Sequence, residues 1–172
     1  VSLQFLYIIK FYIWENGYLR SLDIMHDRAG FYICWGCLVW VPCIYTSPSM
    51  YLVLHPIHLS FGWAIALLCS GGFCISINYL ADKQRLLTRS TEGNCKIWGK
   101  NPITLLANYK TEQGQEKQTI LLASGWWGVA RHFHYIPELA ASFIWSAPAL
   151  FTHFAPYFYV CFLGILLVDR AF

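Results

Sequence analysis

The chain has 172 residues, 57% of them hydrophobic and only 12% charged, with a formal net charge of +3. A water-facing globule carries roughly 25% charged residues, so this composition argues against a soluble domain and for a bilayer-embedded one. The small positive charge forms no basic stripe, which argues against a nucleic-acid partner.

The chain opens Val1-Ser2-Leu3-Gln4, with neither an initiator Met nor a signal peptide. Residues 1–14 read as the tail of a spanning helix whose start lies upstream. Residues 31–54 are apolar with one interruption, Pro42, and are long enough for a span of about 20 residues. Residues 61–80 form a second span, in which Gly71-Gly72 offers a place for close helix packing. Residues 138–168 are apolar but contain Pro148 and Pro156, so two short or tilted helices are expected, broken near Thr152 to Pro156. The chain stops at Asp169-Arg170-Ala171-Phe172, directly after that run, and both ends read as truncations.

Charge bias orients these segments. The connection 81–131 holds Lys83, Arg85, Arg89, Lys96, Lys100, Lys110, Lys117 and Arg131, whereas 55–60 holds no Lys or Arg. Residues 15–30, with Arg20 and Arg28, fall on the same side as 81–131, which the positive-inside rule makes cytosolic. Within that loop, Ile103 to Tyr109 and Gln118 to Ala123 flank Thr111-Glu112-Gln113-Gly114-Gln115-Glu116, a pattern that predicts a small β-hairpin. The expected fold is an all-α multi-pass membrane protein. It has four to five transmembrane or half-spanning helices and forms one partial membrane domain over 1–172, with 81–131 as its cytosolic loop.

Five of the seven cysteines, Cys34, Cys37, Cys43, Cys69 and Cys74, sit in apolar segments and read as small buried hydrophobes. Cys34-x-x-Cys37 lacks the second pair that a zinc site needs. His55-x-x-His58 and His132-x-His134 fall on opposite sides of the membrane in this topology, so no metal centre is expected.

Chemistry concentrates in Ser124-Gly125-Trp126-Trp127-Gly128-Val129-Ala130-Arg131-His132-Phe133-His134-Tyr135. One reading is an interfacial aromatic belt with a snorkelling Arg. The other is a ligand site: glycines permit close backbone approach, Arg forks onto phosphate, and Trp or Tyr stacks on a flat ring. Arg85 and Arg89 are spaced to share one helical face. They serve either as a positive-inside flank or, with Arg131, as a cradle for an anionic cofactor. The glycines form no Rossmann or P-loop pattern. Glu15 directly follows Phe11-Tyr12-Ile13-Trp14. At membrane depth a carboxylate is costly when ionised and suits a proton donor, while in the headgroup region it is solvated; both readings stand. Asp23 and Asp27, one turn apart, read as a solvated or capping pair.

Gly125-Trp-Trp-Gly-Val-Ala-Arg-His-Phe-His-Tyr135 closely resembles the signature of the sterol reductase family, in its delta-7 branch. The delta-14 branch shares Gly-Trp-Trp-Gly and Arg-His but typically continues Val-Arg-His-Pro, where this chain has Ala130-Arg131-His132-Phe133. Leu22 to Gly30, Trp35 to Pro42, Tyr51 to Pro56 and Cys95 to Gly99 are similar too, so the likeness covers the whole chain and is nearest to plant-type members. The resemblance implies an enzyme of the endoplasmic reticulum membrane that reduces the carbon 7–8 double bond of a sterol with NADPH, by protonation and hydride delivery. It implies Arg85, Arg89, Leu122, Trp127, His134 and Tyr135 as cofactor contacts, and Glu15 as the acid near the sterol pocket. The sterol, the lipid bilayer and other sterol-biosynthesis enzymes are the implied partners. Arg85 stands where animal members tend to have Lys, and His134 where many have Asn; both changes keep a polar donor. The N-terminal spans and a C-terminal segment that completes the NADPH site are expected beyond this chain, so residues 1–172 alone are expected to be inactive. Three other functions compete: a delta-14 sterol reductase, a membrane methyltransferase of the isoprenylcysteine type, which also uses an Arg-His motif, and a non-catalytic sterol-binding scaffold.

Overall fold

A computed structural model describes residues 1–19, 24, 28, 30–110 and 114–171. Asp23, Asp27 and the turn residues 111–113 lie outside the described residues. The chain is mostly helical. Helices α1 (Ser2–Ile13), α2 (Glu15–Tyr18) and α3 (Phe31–Trp35) lead into a π-helical stretch, Gly36–Tyr45, and then α4 (Ser47–Leu54) and α5 (Phe61–Ser90). Strands β1 (Thr104–Lys110) and β2 (Glu116–Leu122) follow, then a 3-10 turn at Gly125–Gly128, α6 (Tyr135–Ser146) and α7 (Phe158–Ala171). Contacts divide the chain into two units, Val1–Ser76 with Pro137–Phe172, and Ile77–Ile136.

In the first unit, Leu3, Tyr45, Ile75, Ala141 and Trp145 form the core, with Tyr7, Cys74, Ile144 and Tyr159 packed against them. Gly71 belongs to this packing. A Cβ added there would lie 2.6 Å from a Leu3 methyl, so only hydrogen fits where α1 crosses α5. Gly72 has nothing within 4 Å of its virtual Cβ, so the close approach expected of the pair belongs to Gly71 alone. The side chain of Gln4 is buried and donates from Nε2 to the Tyr45 carbonyl at 2.8 Å, while the Ser49 hydroxyl donates to its Oε1. Gln4 thereby ties α1 to the end of the π-helical stretch, where the i→i+5 pattern leaves carbonyls in search of donors, and to the start of α4.

Two stretches, Ile33–Leu54 and Phe61–Ser90, are long and apolar enough to cross a membrane by length and composition. The expected 61–80 span continues as one helix ten residues further, to Ser90. The apolar run 138–168 divides as its prolines predict. α6 ends at Ser146, 3-10 turns occupy Ala147–Ala149 and Ala155–Tyr157, and α7 begins at Phe158. Leu150 and Phe151 between them take left-handed backbone (φ 53° and 56°), so the break is wider than Thr152 to Pro156.

The cysteine expectation is corrected for four residues: Cys34, Cys37, Cys43 and Cys69 are exposed, and only Cys74 is half-buried. An apolar run marks a segment that avoids water; it does not say which of its faces meets protein. Large apolar side chains such as Phe61, Trp63 and Phe73 on α5 are exposed for the same reason.

In the second unit, β1 and β2 pair antiparallel, with Thr104 opposite Leu122 and Lys110 opposite Glu116. The hairpin sits where the sequence pattern put it, with β2 starting two residues earlier.

Candidate functional site

The second unit is built on the last turns of α5. Asn78, Ala81, Asp82 and Arg85 recur at the three- and four-residue spacing that puts side chains on one helical face, and Asn78, Ala81 and Asp82 are buried. The segment 122–135 is held against this face. The Trp127 indole Nε1–H donates to the Ala81 carbonyl at 2.8 Å, and the Asn78 Nδ2–H donates to the His134 carbonyl at 2.9 Å. The Trp126 backbone N–H donates to Gln84 Oε1 at 3.1 Å. Gly125 makes the turn possible. Its φ is +64°, and a Cβ there would fall 2.5 Å from Gln84 Oε1 and 2.6 Å from the Ile97 side chain.

This docking lays the Arg85 guanidinium over the Trp127 ring, 4.9 Å from its centroid. Asp82 Oδ1 accepts from Arg85 Nη2 at 3.5 Å, steadying the guanidinium from the preceding turn. The Trp127 ring lies 4.9 Å from His134, and His134 lies 4.4 Å from Tyr135. His132 stacks on Tyr135 at 4.9 Å with 11° between planes. A second aromatic group, Trp98 edge-on to Trp126 and Trp126 stacked on Phe133 at 4.9 Å, backs the turn. Trp98 and Gly99 both have positive φ (50° and 77°) within the Ile97–Lys100 bridge, the conformation of a tight primed turn.

Cations gather here, with the Asp82 carboxylate paired to Arg85. His132 is held below its ordinary value by burial, then by the charges of Arg131 and Arg85. Its Nε2 is shielded from solvent and makes no hydrogen bond among the described residues. Arg89, one turn after Arg85, is exposed and lies within electrostatic reach of both Arg85 and Tyr109. Three guanidinium groups and a ring surface therefore serve one small region, a donor set that fits a phosphate-bearing ligand with a flat ring.

Of the residues singled out in the sequence, Arg85, Trp127, His134 and Tyr135 form one chain of ring and cation contacts. Arg89 extends the cation pair along α5. Leu122 is buried at the end of β2, where its side chain packs. Glu15 stands at the start of α2 in the first unit and is exposed. Sequence reasoning missed Gln84 and Asn78, because a single amide on a helix carries no pattern of its own. It also missed Glu138 in the first unit, whose carboxylate accepts a hydrogen bond from the Tyr7 hydroxyl across 131 residues of chain. Tyr45 and Tyr159 lie within electrostatic reach of that carboxylate. A signal was available: Glu138 is an acid at the head of a long apolar run.

Known proteins bear on this geometry. The model of the ergosterol biosynthesis ERG4/ERG24 family matches residues 1–172. A 7-dehydrocholesterol reductase of Arabidopsis thaliana is 56% identical over 98% of this chain and 39% of its own length. One of Xenopus laevis is 41% identical over 98% of this chain and 36% of its own. A Delta(14)-sterol reductase of Methylotuvimicrobium alcaliphilum is 37% identical over 99% of this chain and 38% of its own. The chain thus spans somewhat under two fifths of the length of these curated relatives.

Proposed function

This chain belongs to the ergosterol biosynthesis ERG4/ERG24 family of sterol reductases, and from that premise we propose that it is the cofactor-binding part of an NADPH-dependent sterol delta-7 reductase. The enzyme reduces the carbon 7–8 double bond of a sterol, as in converting 7-dehydrocholesterol to cholesterol. It works as a multi-pass protein of the endoplasmic reticulum membrane, with 81–131 facing the cytosol. The observation that carries the reading is the Arg85 guanidinium laid on the Trp127 ring, with the His134 ring against the same indole.

When bound, NADPH supplies the hydride. Arg85, Arg89 and Arg131 would hold its phosphates by charge-assisted hydrogen bonds. Trp127 and Tyr135 would offer flat faces to its rings, and His134 a polar edge. Leu122, packed at the end of β2, fixes the strand from which the Gly125 turn departs. Reduction also needs a proton. Glu15 is the first candidate to give it. Glu138 is a second reading, favoured by its place as an acid at the head of a long apolar run, in contact with the Tyr7 hydroxyl.

Two observations favour delta-7 over delta-14 chemistry: the higher identity to the plant relative, and Ala130 and Phe133 where the delta-14 signature has Val and Pro. The test is to express the full-length gene encoding this chain in cells that accumulate delta-7 sterols, and to profile the lipids by gas chromatography–mass spectrometry. Loss of the 7–8 double bond, abolished by Arg89→Ala or Trp127→Ala, is the expected result. An unchanged profile with good expression would reject delta-7 reduction and turn the assay to delta-14 sterols.

A further inference from the structure

The contacts of α5 with the segment 124–135 are not only packing. Among the side-chain hydrogen bonds that join them, two involve α5 side chains and backbone groups of the segment. Asn78 donates to the carbonyl of His134, and Gln84 accepts from the N–H of Trp126. Another runs the other way, from the Trp127 indole to the carbonyl of Ala81. Positions 78, 81 and 84 are spaced one turn apart, so the three bonds grip the segment at successive levels of the helix. Trp127 and His134, two of the proposed cofactor contacts, fall between or at the grips.

We infer that Gln84 is a positioning residue for the dinucleotide site. Its side chain does two things at once. It satisfies the Trp126 N–H, and its oxygen occupies the space beside Gly125 that a Cβ would need. The turn can therefore close onto α5 only with an acceptor of that length at 84 and no side chain at 125. That closure sets the position of the Trp127 ring, and with it the surface on which the Arg85 guanidinium lies, one residue along from Gln84. Gln84 touches neither reacting atoms nor cofactor in this account; it acts through the backbone of Gly125–Trp126.

The inference rests on the NADPH reading above, and its test keeps the two apart. The full-length protein, purified in lipid nanodiscs, is titrated with NADPH, and energy transfer from tryptophan to the reduced nicotinamide reports binding. Sterol KM is measured in parallel. Gln84→Met keeps the shape and removes the acceptor. It is expected to weaken NADPH binding by roughly fivefold, the order that one hydrogen bond carries, with sterol KM unchanged. Gly125→Ala disrupts the same contact and adds an overlap with Ile97 and strain at φ +64°, so it is expected to weaken binding at least as much, and the double variant should be less impaired than the product of the two single effects. It also carries the test if Gln84→Met does not fold. A folded Gln84→Met that binds NADPH like the wild type overturns the inference, as do fully multiplicative effects or an equal rise in sterol KM. Wild-type protein that binds no NADPH overturns the cofactor reading, and this inference with it.

Discussion

Replacing Trp127 separates the two things its side chain does. Trp127→Phe keeps a ring beneath Arg85 and loses the Nε1–H that donates to the Ala81 carbonyl. That carbonyl sits inside α5 and still accepts its helical bond, so the loss is one hydrogen bond, about 1 kcal/mol, or roughly fivefold in affinity for NADPH. Trp127→Ala also removes the ring. The cation–π contact with a part-exposed guanidinium is worth about 0.5–1 kcal/mol, and the contact with the His134 ring about 0.5–1.5 kcal/mol. Together with the hydrogen bond this makes about 2–3.5 kcal/mol, or roughly 30- to 300-fold. Titration of the full-length protein with NADPH reads both variants. If Trp127→Phe binds as poorly as Trp127→Ala, the ring face contributes nothing and the stacking argument fails. Wild-type affinity in Trp127→Ala would remove the residue from the site altogether.

Two further outcomes are expected. Gly71→Ala should destabilise the protein by about 1–3 kcal/mol, because its methyl would overlap Leu3. Gly72→Ala should be neutral or stabilising by up to about 1 kcal/mol, because alanine meets nothing there and favours the helix; thermal melts in one detergent compare the pair, and equal losses would refute the assignment of the close contact to Gly71. His132 bears on pH. Its folded value lies below the ordinary one near 6.5, so the unfolded chain binds more protons through that window. Stability is then complete above about pH 6.5 and falls as the pH drops through the folded value. Melting temperatures of wild type and His132→Asn between about pH 7 and pH 5 check this: the wild type should lose more on acidification, and parallel curves would contradict it.

Much of the fold was legible in composition and punctuation. A low charge content and long apolar runs give the helical segments, because the helix is the structure that satisfies its own backbone without water. Pro148 and Pro156 divide 138–168, since proline lacks the N–H that a helix interior needs. The polar, glycine-containing tract between two apolar runs gives the hairpin. The motif 124–135 and the spacing of Arg85 and Arg89 name the candidate site, because residue types and short-range periodicity survive without a fold. Three things were decided only by tertiary structure. Which glycine of Gly71-Gly72 meets a neighbour depends on where Leu3 arrives, and which cysteines are covered depends on which helical face meets protein. The roles of Gln84, Asn78 and Glu138 depend on partners 42, 56 and 131 residues away. A lone amide or acid takes its meaning from the group it faces, and that group is set by packing rather than by the local pattern.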